Sequence, residues 1–386
     1  MQKVYLDHSA TTPVLPEVAR VMQEVMLHDF GNPSSLHTMG VSAERHLTKT
    51  RQILAQALAV KAEEIIFTSG GTEANNLALK GTARRLKRRG HHLMTTQVEH
   101  PSVLYACKAL EAEGFEVTYL PVDRNGQVAV SDVVANLRPE TLLVSIMHVN
   151  NEVGTIMPVT EIGRAVKAKN PQTLFHVDAV QSFGKFPVTP ATWQADLVTV
   201  SAHKIHGPKG CGALYCREGV LLEPLLHGGD QERGLRPGTE NVAAIAGFGR
   251  AALLAQEDRE QKLEKIKTLK ELLVEGICNY IPGITINSPP EGAPQILNIT
   301  FADVKGEVLV HALAEAGIYV STGSACHSHR ADPSHVLLAM QRKPQEIEAT
   351  LRFSFSAYNT EAEIDYTLEK LRQAVETLRL VTRRKR

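Results

Sequence analysis

FTSGGTEANNLAL, residues 67–79, runs from an apolar, strand-like stretch through a glycine pair into a helix-like one. Gly70 and Gly71 let the backbone come close to a ligand, and Thr72 stands where the helix begins. The free N–H groups of a helix start, together with its dipole, favour an anion such as a phosphate. A tight turn explains two glycines equally well, so the stretch takes its meaning from its surroundings. Around it, short apolar runs at 64–70, 91–100, 141–150, 173–180, 196–204 and 212–217 read as strands. Stretches with helical spacing lie between them at 72–89, 101–113 and 158–169. That order implies βα units and a mainly parallel sheet, the α/β class. Polar residues collect at the carboxyl ends of the runs, where open α/β sheets bind ligands.

The chain has 386 residues, 43% hydrophobic and 22% charged, with a formal net charge of zero. This suits one large globular domain with a smaller one, and gives no reason to expect a nucleic acid or a membrane as partner. Basic clusters at 84–89 and 383–386 read as solvated surface, the second alternatively as a site for an acidic partner. Five cysteines, at 107, 211, 216, 278 and 326, lack the spacing of a disulfide framework or a zinc site, so no metal is expected. The first residues show no hydrophobic signal core, and a reducing cytoplasm is the expected location. From about 245 to 280 one long helix-like stretch replaces the alternation, and a different rhythm of strand and helix follows. The expected division is a large domain over 13–250, with 1–12 and 251–386 forming a small one.

Three further stretches carry chemistry. In SAHKIHGPKGCG, 201–212, Lys204 ends a strand-like run and enters a Gly/Pro turn between two histidines. A lysine near apolar walls can lose its proton and form Schiff bases; it also suits a plain surface turn. In HVDAVQS, 176–182, Asp178 ends an apolar run, where it either caps a helix or pairs with a buried cation such as a pyridinium N–H. Ser201 and His203 can add contacts to a phosphate held at Gly71 and Thr72, and Gln181 can donate to a phenolic oxygen. His100 in TQVEHPSV either opens a helix or stacks on a ring. A phosphate cradle, a ring-nitrogen partner and a lysine at strand ends together ask for pyridoxal 5'-phosphate.

With these motifs in order, the chain resembles the cysteine desulfurases of the NifS/IscS type, in the class V aminotransferase group of fold-type I enzymes. LDHSATTP (6–13), FGNPSSLH (30–37), TSGGTEANN (68–76), EHPSV (99–103) and HVNNEVGT (148–155) carry the likeness. HVDAVQS, SAHKIHGPKG, RPGTEN (236–241), STGSAC (321–326) and LRFSF (351–355) continue it. The resemblance implies a large domain with a mainly parallel seven-stranded sheet flanked by helices, plus a smaller α+β domain. It implies that Lys204 holds the cofactor and moves protons, that Asp178 pairs with the ring nitrogen, and that His100 stacks. Gln181 would contact the phenolic oxygen; Gly71, Thr72, Ser201 and His203 would bind the phosphate, joined by Thr239 from the second subunit of a homodimer. Asn150 and Arg352 would hold the substrate, with Asn32 as a further candidate. Cys326, among small and polar residues that read as a solvated loop, would attack the sulfur of L-cysteine, keep it as a persulfide and release L-alanine. An acceptor protein, such as an iron–sulfur scaffold or a tRNA-thiolating enzyme, would then take the sulfur.

Two features depart from that pattern. His327 and His329 follow Cys326 where threonine or serine is usual, and FSFSAYNT replaces a glycine-arginine continuation after Arg352. The long interval from Cys326 to Arg352 fits the NifS/IscS branch rather than the SufS branch. A selenocysteine lyase is the alternative enzyme, another class V enzyme a more distant one, and a non-catalytic scaffold the alternative outside enzymes.

Overall fold

In a computed structural model, residues 3–322 and 333–384 are described. The described residues build twelve strands: β1 (Val4–Tyr5), β2 (Ile65–Thr68), β3 (His92–Thr96), β4 (Glu116–Leu120), β5 (Thr141–Met147) and β6 (Leu174–Asp178) come first. β7 (Leu197–Ser201), β8 (Gly212–Cys216), β9 (Ile284–Ile286), β10 (Ile296–Phe301), β11 (Ile318–Tyr319) and β12 (Thr350–Ser354) follow. Seven of them form one sheet in the order β2-β8-β7-β6-β5-β3-β4, in which β8 alone runs against its neighbours. This is the α/β architecture with a mainly parallel sheet that the alternation implies.

The sheet is buried on both faces, as parallel sheets require. Phe67, Phe175, Val177, Val198 and Val200 belong to one apolar cluster, while Ile66, Leu174, Leu197 and Leu214 belong to another. Neighbours along a strand thus serve opposite faces, the period of two that a pleated strand imposes.

A third apolar cluster joins the two ends of the chain. Val4 and Leu6 pack with Leu297, Ile299, Leu351 and Phe353, and with the long helices Arg259–Tyr280 and Glu361–Arg384. The strands here are the antiparallel set β12-β10-β9 and the parallel pair β1-β11. The stretch expected as one helix over 245–280 is two, Val242–Gln256 and Arg259–Tyr280. Asp258 breaks it by taking a left-handed φ of 49°, a conformation that aspartate tolerates better than most residues. Lys262 Nζ then donates to the orphaned carbonyls of Leu254 and Glu257 at the end of the first helix. Ala251 and Ala252 pack with the large core, as do Val336, Leu337 and Ile347 from the second half of the chain.

Buried polar groups pin these layers together. Asp196, 1% exposed, accepts from the Phe175 N–H at 2.7 Å and from Lys167 and Arg217 at 2.5 and 2.8 Å. His176 lies between the hydroxyls of Ser145 and Thr199 at 2.8 and 3.0 Å, tying β6 to the strands on either side. Burial holds His176 and His8 down to about 3, and His148, His203 and His206 to about 4.

Two expectations follow from these groups. Asp196→Ala should lower the stability by about 3 kcal/mol, read as a fall in the urea midpoint, because it leaves a buried N–H and two cations without their acceptor. The histidines predict an acid weakness. The unfolded chain protonates them near pH 6.5, whereas the fold resists until about 3 or 4, so their contribution is complete above pH 6.5 and lost as pH falls toward 4. Glu99 works the other way: burial pushes its carboxyl up to about 8, and its contribution is lost as pH rises from about 4.5. With five histidines against it, urea midpoints measured between pH 7 and pH 4.5 should fall steadily.

Candidate active site

The carboxyl ends of β3, β5, β6 and β7 and the turn after β2 surround a cavity of about 310 Å³. Two elements from the other core complete its wall: the segment Ser9–Ala10, and Arg352 on β12. At one end the chain turns from β2 through Gly70, whose φ of +152° suits only glycine, into a helix beginning at Gly71. A Cβ on Gly71 would lie 2.9 Å from Val180 Cγ2, so the close approach needs a residue without one. Thr72, Ser201 and His203 stand on the same wall. The Ser201 hydroxyl is buried with no hydrogen-bonding partner among the described residues. His203 is held neutral, first by burial and then by the charge of Lys204.

Asp178 ends β6 at the floor of the cavity, and its two oxygens are engaged. One accepts from the Val180 N–H at 2.9 Å, the other from the Asn75 side-chain amide at 2.8 Å. Burial raises its pKa, while these hydrogen bonds and Lys204 pull it back toward the charged form. The same Asn75 nitrogen also donates to Ser102 Oγ at 2.9 Å, and that hydroxyl lies 2.8 Å from His100 Nδ1. The Ser102 N–H donates to Nδ1 as well, at 3.2 Å. Nδ1 is therefore the unprotonated nitrogen, and the ring proton of neutral His100 sits on Nε2. His100 thus both caps the helix Pro101–Ala112 and lines the cavity, so the two readings of its motif hold together.

Lys204 sits in a single 3₁₀ turn, Ala202–Lys204, directly after β7. Its amine donates to the carbonyls of Ser9 and Ala10, the latter at 2.8 Å. Gln181 Nε2 donates to the same Ser9 carbonyl at 3.0 Å. Arg352, 2% exposed, donates through Nη2 to Asp7 Oδ1 and through Nη1 to the Asn151 carbonyl, both at 2.9 Å. Burial raises the pKa of Asp7, and Arg352 opposes that shift.

Asn150 and Asn32 find no place in this cavity, while Thr239 is expected to serve it only from a second subunit. Asn150 is fully buried: its amide donates to the Val98 carbonyl and its oxygen accepts from the N–H groups of Glu152 and Val153, so the side chain shapes its loop. Its neighbour Asn151 reaches the cavity wall instead. Asn32 and Thr239 are exposed and do not line the cavity of their own chain. Cys326, His327 and His329 lie outside the described residues. Cys107, Cys211 and Cys216 are buried, and burial pushes the thiols of Cys211 and Cys216 up to about 12 and raises that of Cys107. Cys278 is exposed, and none of the four lines the cavity. Among the described residues no group of histidine, cysteine, aspartate or glutamate side chains is placed to hold a metal, and no helix is long and apolar enough to cross a membrane. Asn75, Ser102 and Asp7 are the site residues that sequence reasoning missed.

Comparison with known proteins gives one consistent result. Residues 4–367 match the model of the aminotransferase class-V family. The chain is 44% identical over 382 residues to the cysteine desulfurase IscS of Dictyoglomus turgidum, covering 99% of this chain and 96% of that relative. Among solved structures, a NifS-like protein superposes with a TM-score of 0.92 at 41% identity, over 97% of this chain and 100% of its own. A structure described as SspA in complex with cysteine superposes with a TM-score of 0.82 at 36% identity, over 93% and 100% of the two chains.

The shared donor of Asn75 makes a specific prediction. Asn75→Ala leaves Asp178 with one hydrogen bond and Ser102 without its donor. A ligand bound against Asp178 should then be held about tenfold to a hundredfold more weakly, the size of one or two lost hydrogen bonds to a charged group. Equilibrium dialysis of pyridoxal phosphate against wild type and variant measures the change.

Proposed function

Since the chain belongs to the class-V aminotransferase family, among its cysteine desulfurases, we propose that it removes sulfur from L-cysteine, leaving L-alanine, with pyridoxal 5'-phosphate as cofactor. The observation that carries this reading is the convergence of Lys204, Asp178 and the unpartnered Ser201 hydroxyl on one cavity. Those residues fit the cofactor: an amine to attach it, a buried carboxylate for its ring N–H, and a hydroxyl beside a helix start for its phosphate. When bound, pyridoxal phosphate supplies an electron sink for the α-carbon of the substrate.

The protein's own groups do the rest. Asp178, whose charged form the Asn75 amide and the Val180 N–H favour against its burial, would pair with the protonated ring nitrogen. His100, oriented through Asn75 and Ser102, would lie against the ring and hold its proton on Nε2. Lys204 leaves the Ser9 and Ala10 carbonyls and exchanges the α-proton at Nζ. Arg352, on the cavity wall, would receive the substrate carboxylate through its guanidinium.

The sulfur acceptor within the chain is Cys326. Its thiolate attacks the sulfur of the substrate, an S–S bond forms, and the electron pair of the broken C–S bond stays on carbon, which then takes a proton. The four described cysteines support this choice by elimination, because none of them lines the cavity.

A homodimer completes the site. Phe30 and Leu36, 70% and 99% exposed, flank Asn32 on a surface that a second copy would cover. Thr239 and Asn32 then serve the neighbour's cavity rather than their own. The persulfide passes to an acceptor protein in a reducing cytoplasm, an iron–sulfur scaffold or a tRNA-thiolating enzyme.

Two outcomes are expected. Lys204→Ala should lose the cofactor attachment that borohydride fixes to the wild-type protein, and turnover should fall by at least about a thousandfold. Peptide mapping of the reduced proteins checks the first, and alanine release the second. Cys326→Ala should still bind the cofactor and cysteine, seen in its absorption spectrum, yet release less than about 1% of the wild-type alanine. Mapping of reductant-labile label after incubation with cysteine carrying radioactive sulfur tests the function itself. Label on another cysteine, or undiminished alanine release from the variant, would overturn it.

A further inference from the structure

Behind the lysine turn lies a second cavity, of about 70 Å³. Lys185, Ile205 and His206 wall it on the side of the large sheet; His8, Ser356 and Tyr358 wall it from the opposite core. No carboxylate lines it. Lys185 Nζ donates one hydrogen bond, to the Lys204 carbonyl at 3.0 Å. An ammonium has three donors, so two N–H groups of Lys185 have no acceptor among the described residues. Burial pulls this amine down to about 8, which still leaves it mostly cationic at neutral pH.

His8 lines the cavity from the other side, 8% exposed; neither ring nitrogen makes a well-formed hydrogen bond among the described residues, and the Tyr5 carbonyl and the Asn359 side chain face the ring. The nearby Asn359 amide is already spent on the Tyr5 carbonyl and the Glu363 carboxylate, both at 3.1 Å. A neutral imidazole keeps one N–H, which can donate, and one bare nitrogen, which can accept. Lys262, also on the wall, gives two of its three N–H groups to the Leu254 and Glu257 carbonyls. His206 is bonded to the Pro13 carbonyl and to Ser356 Oγ, and Thr12 Oγ1 donates to the His203 carbonyl while accepting the His206 N–H.

Two lysine side chains, Lys185 and Lys262, thus keep N–H groups without an acceptor among the described residues, no carboxylate lines the cavity, and donors of this kind are costly when unanswered. The volume admits a few waters or one compact ion. We propose that this cavity binds a compact monovalent anion of halide size, held by Lys185 and His8. Such an ion would act on Lys204 from both sides. Lys185 holds the Lys204 carbonyl, and His8 precedes Ser9, whose carbonyl receives the Lys204 amine.

The test uses bromide and chloride on the wild-type holoenzyme, and neither readout depends on turnover. In crystals soaked with bromide, an anomalous peak is expected in this cavity within hydrogen-bonding reach of Lys185 Nζ. In solution, chloride should raise the thermal midpoint saturably, by about 2 °C or more above gluconate at equal ionic strength. Lys185→Met should abolish the difference between the two salts. Should that variant fail to fold, the bromide crystals of the wild type decide alone. Ordered water without bromide in the cavity, bromide at the surface only, equal midpoints in the two salts, or a chloride effect that survives in Lys185→Met would each overturn the assignment.

Discussion

The amine of Lys204 is held by two main-chain carbonyls that lie 195 and 194 residues earlier in the chain. That contact requires the first residues to reach across from one apolar core to the other, and much of the molecule is arranged to make them do so. β1 anchors the segment by pairing with β11, and the Leu6 carbonyl accepts the Ser354 N–H of β12. Asp7 closes the arrangement through its ion pair with Arg352. From the other side, Thr12 binds the turn itself, donating its N–H and hydroxyl to the His203 carbonyl. The lysine is thereby positioned by the joint between the two cores, so a disturbance of either core reaches the amine.

The same dependence explains which parts of the site were legible in the sequence. Asp178, Ser201 and Lys204 announce themselves because each ends or follows a short apolar strand, and a charge or hydroxyl there has few structural excuses. The glycine pair at 70 and 71 is legible for a related reason, since a strand turning directly into a helix leaves little other backbone choice. Asn75 and Ser102 carry no such signal. They are polar residues within the first turns of helices, where asparagine and serine are ordinary, and only the packing of one helix against another brings them between Asp178 and His100. Asp7 looks like any carboxylate in a turn until Arg352, 345 residues away, is folded beside it.

Asn150 shows the limit of motif reading within a loop. Two asparagines stand side by side in HVNNEVGT, and nothing in their order says which faces the cavity. The backbone decides: the turn from Asn150 to Val153 needs an acceptor for two N–H groups, and the side chain of Asn150 supplies it. The edge strand β4 escaped the alternating pattern for a different reason. Its residues are half exposed and begin with Glu116, so the apolar signal that marks the central strands is diluted. The break at Asp258 escaped because helical spacing continues on both sides of it.

Two kinds of buried charge coexist around Lys204, and they differ in what they leave unfinished. Asp178 and Arg352 are each bonded to the protein before any ligand arrives, so their orientation costs nothing further when one binds. Lys185, half-buried, and the buried Ser201 hydroxyl are the opposite case, since each keeps hydrogen-bonding capacity unused among the described residues. Groups of that kind make the empty fold less stable and the occupied one more so, which couples the folding of this joint to what it holds.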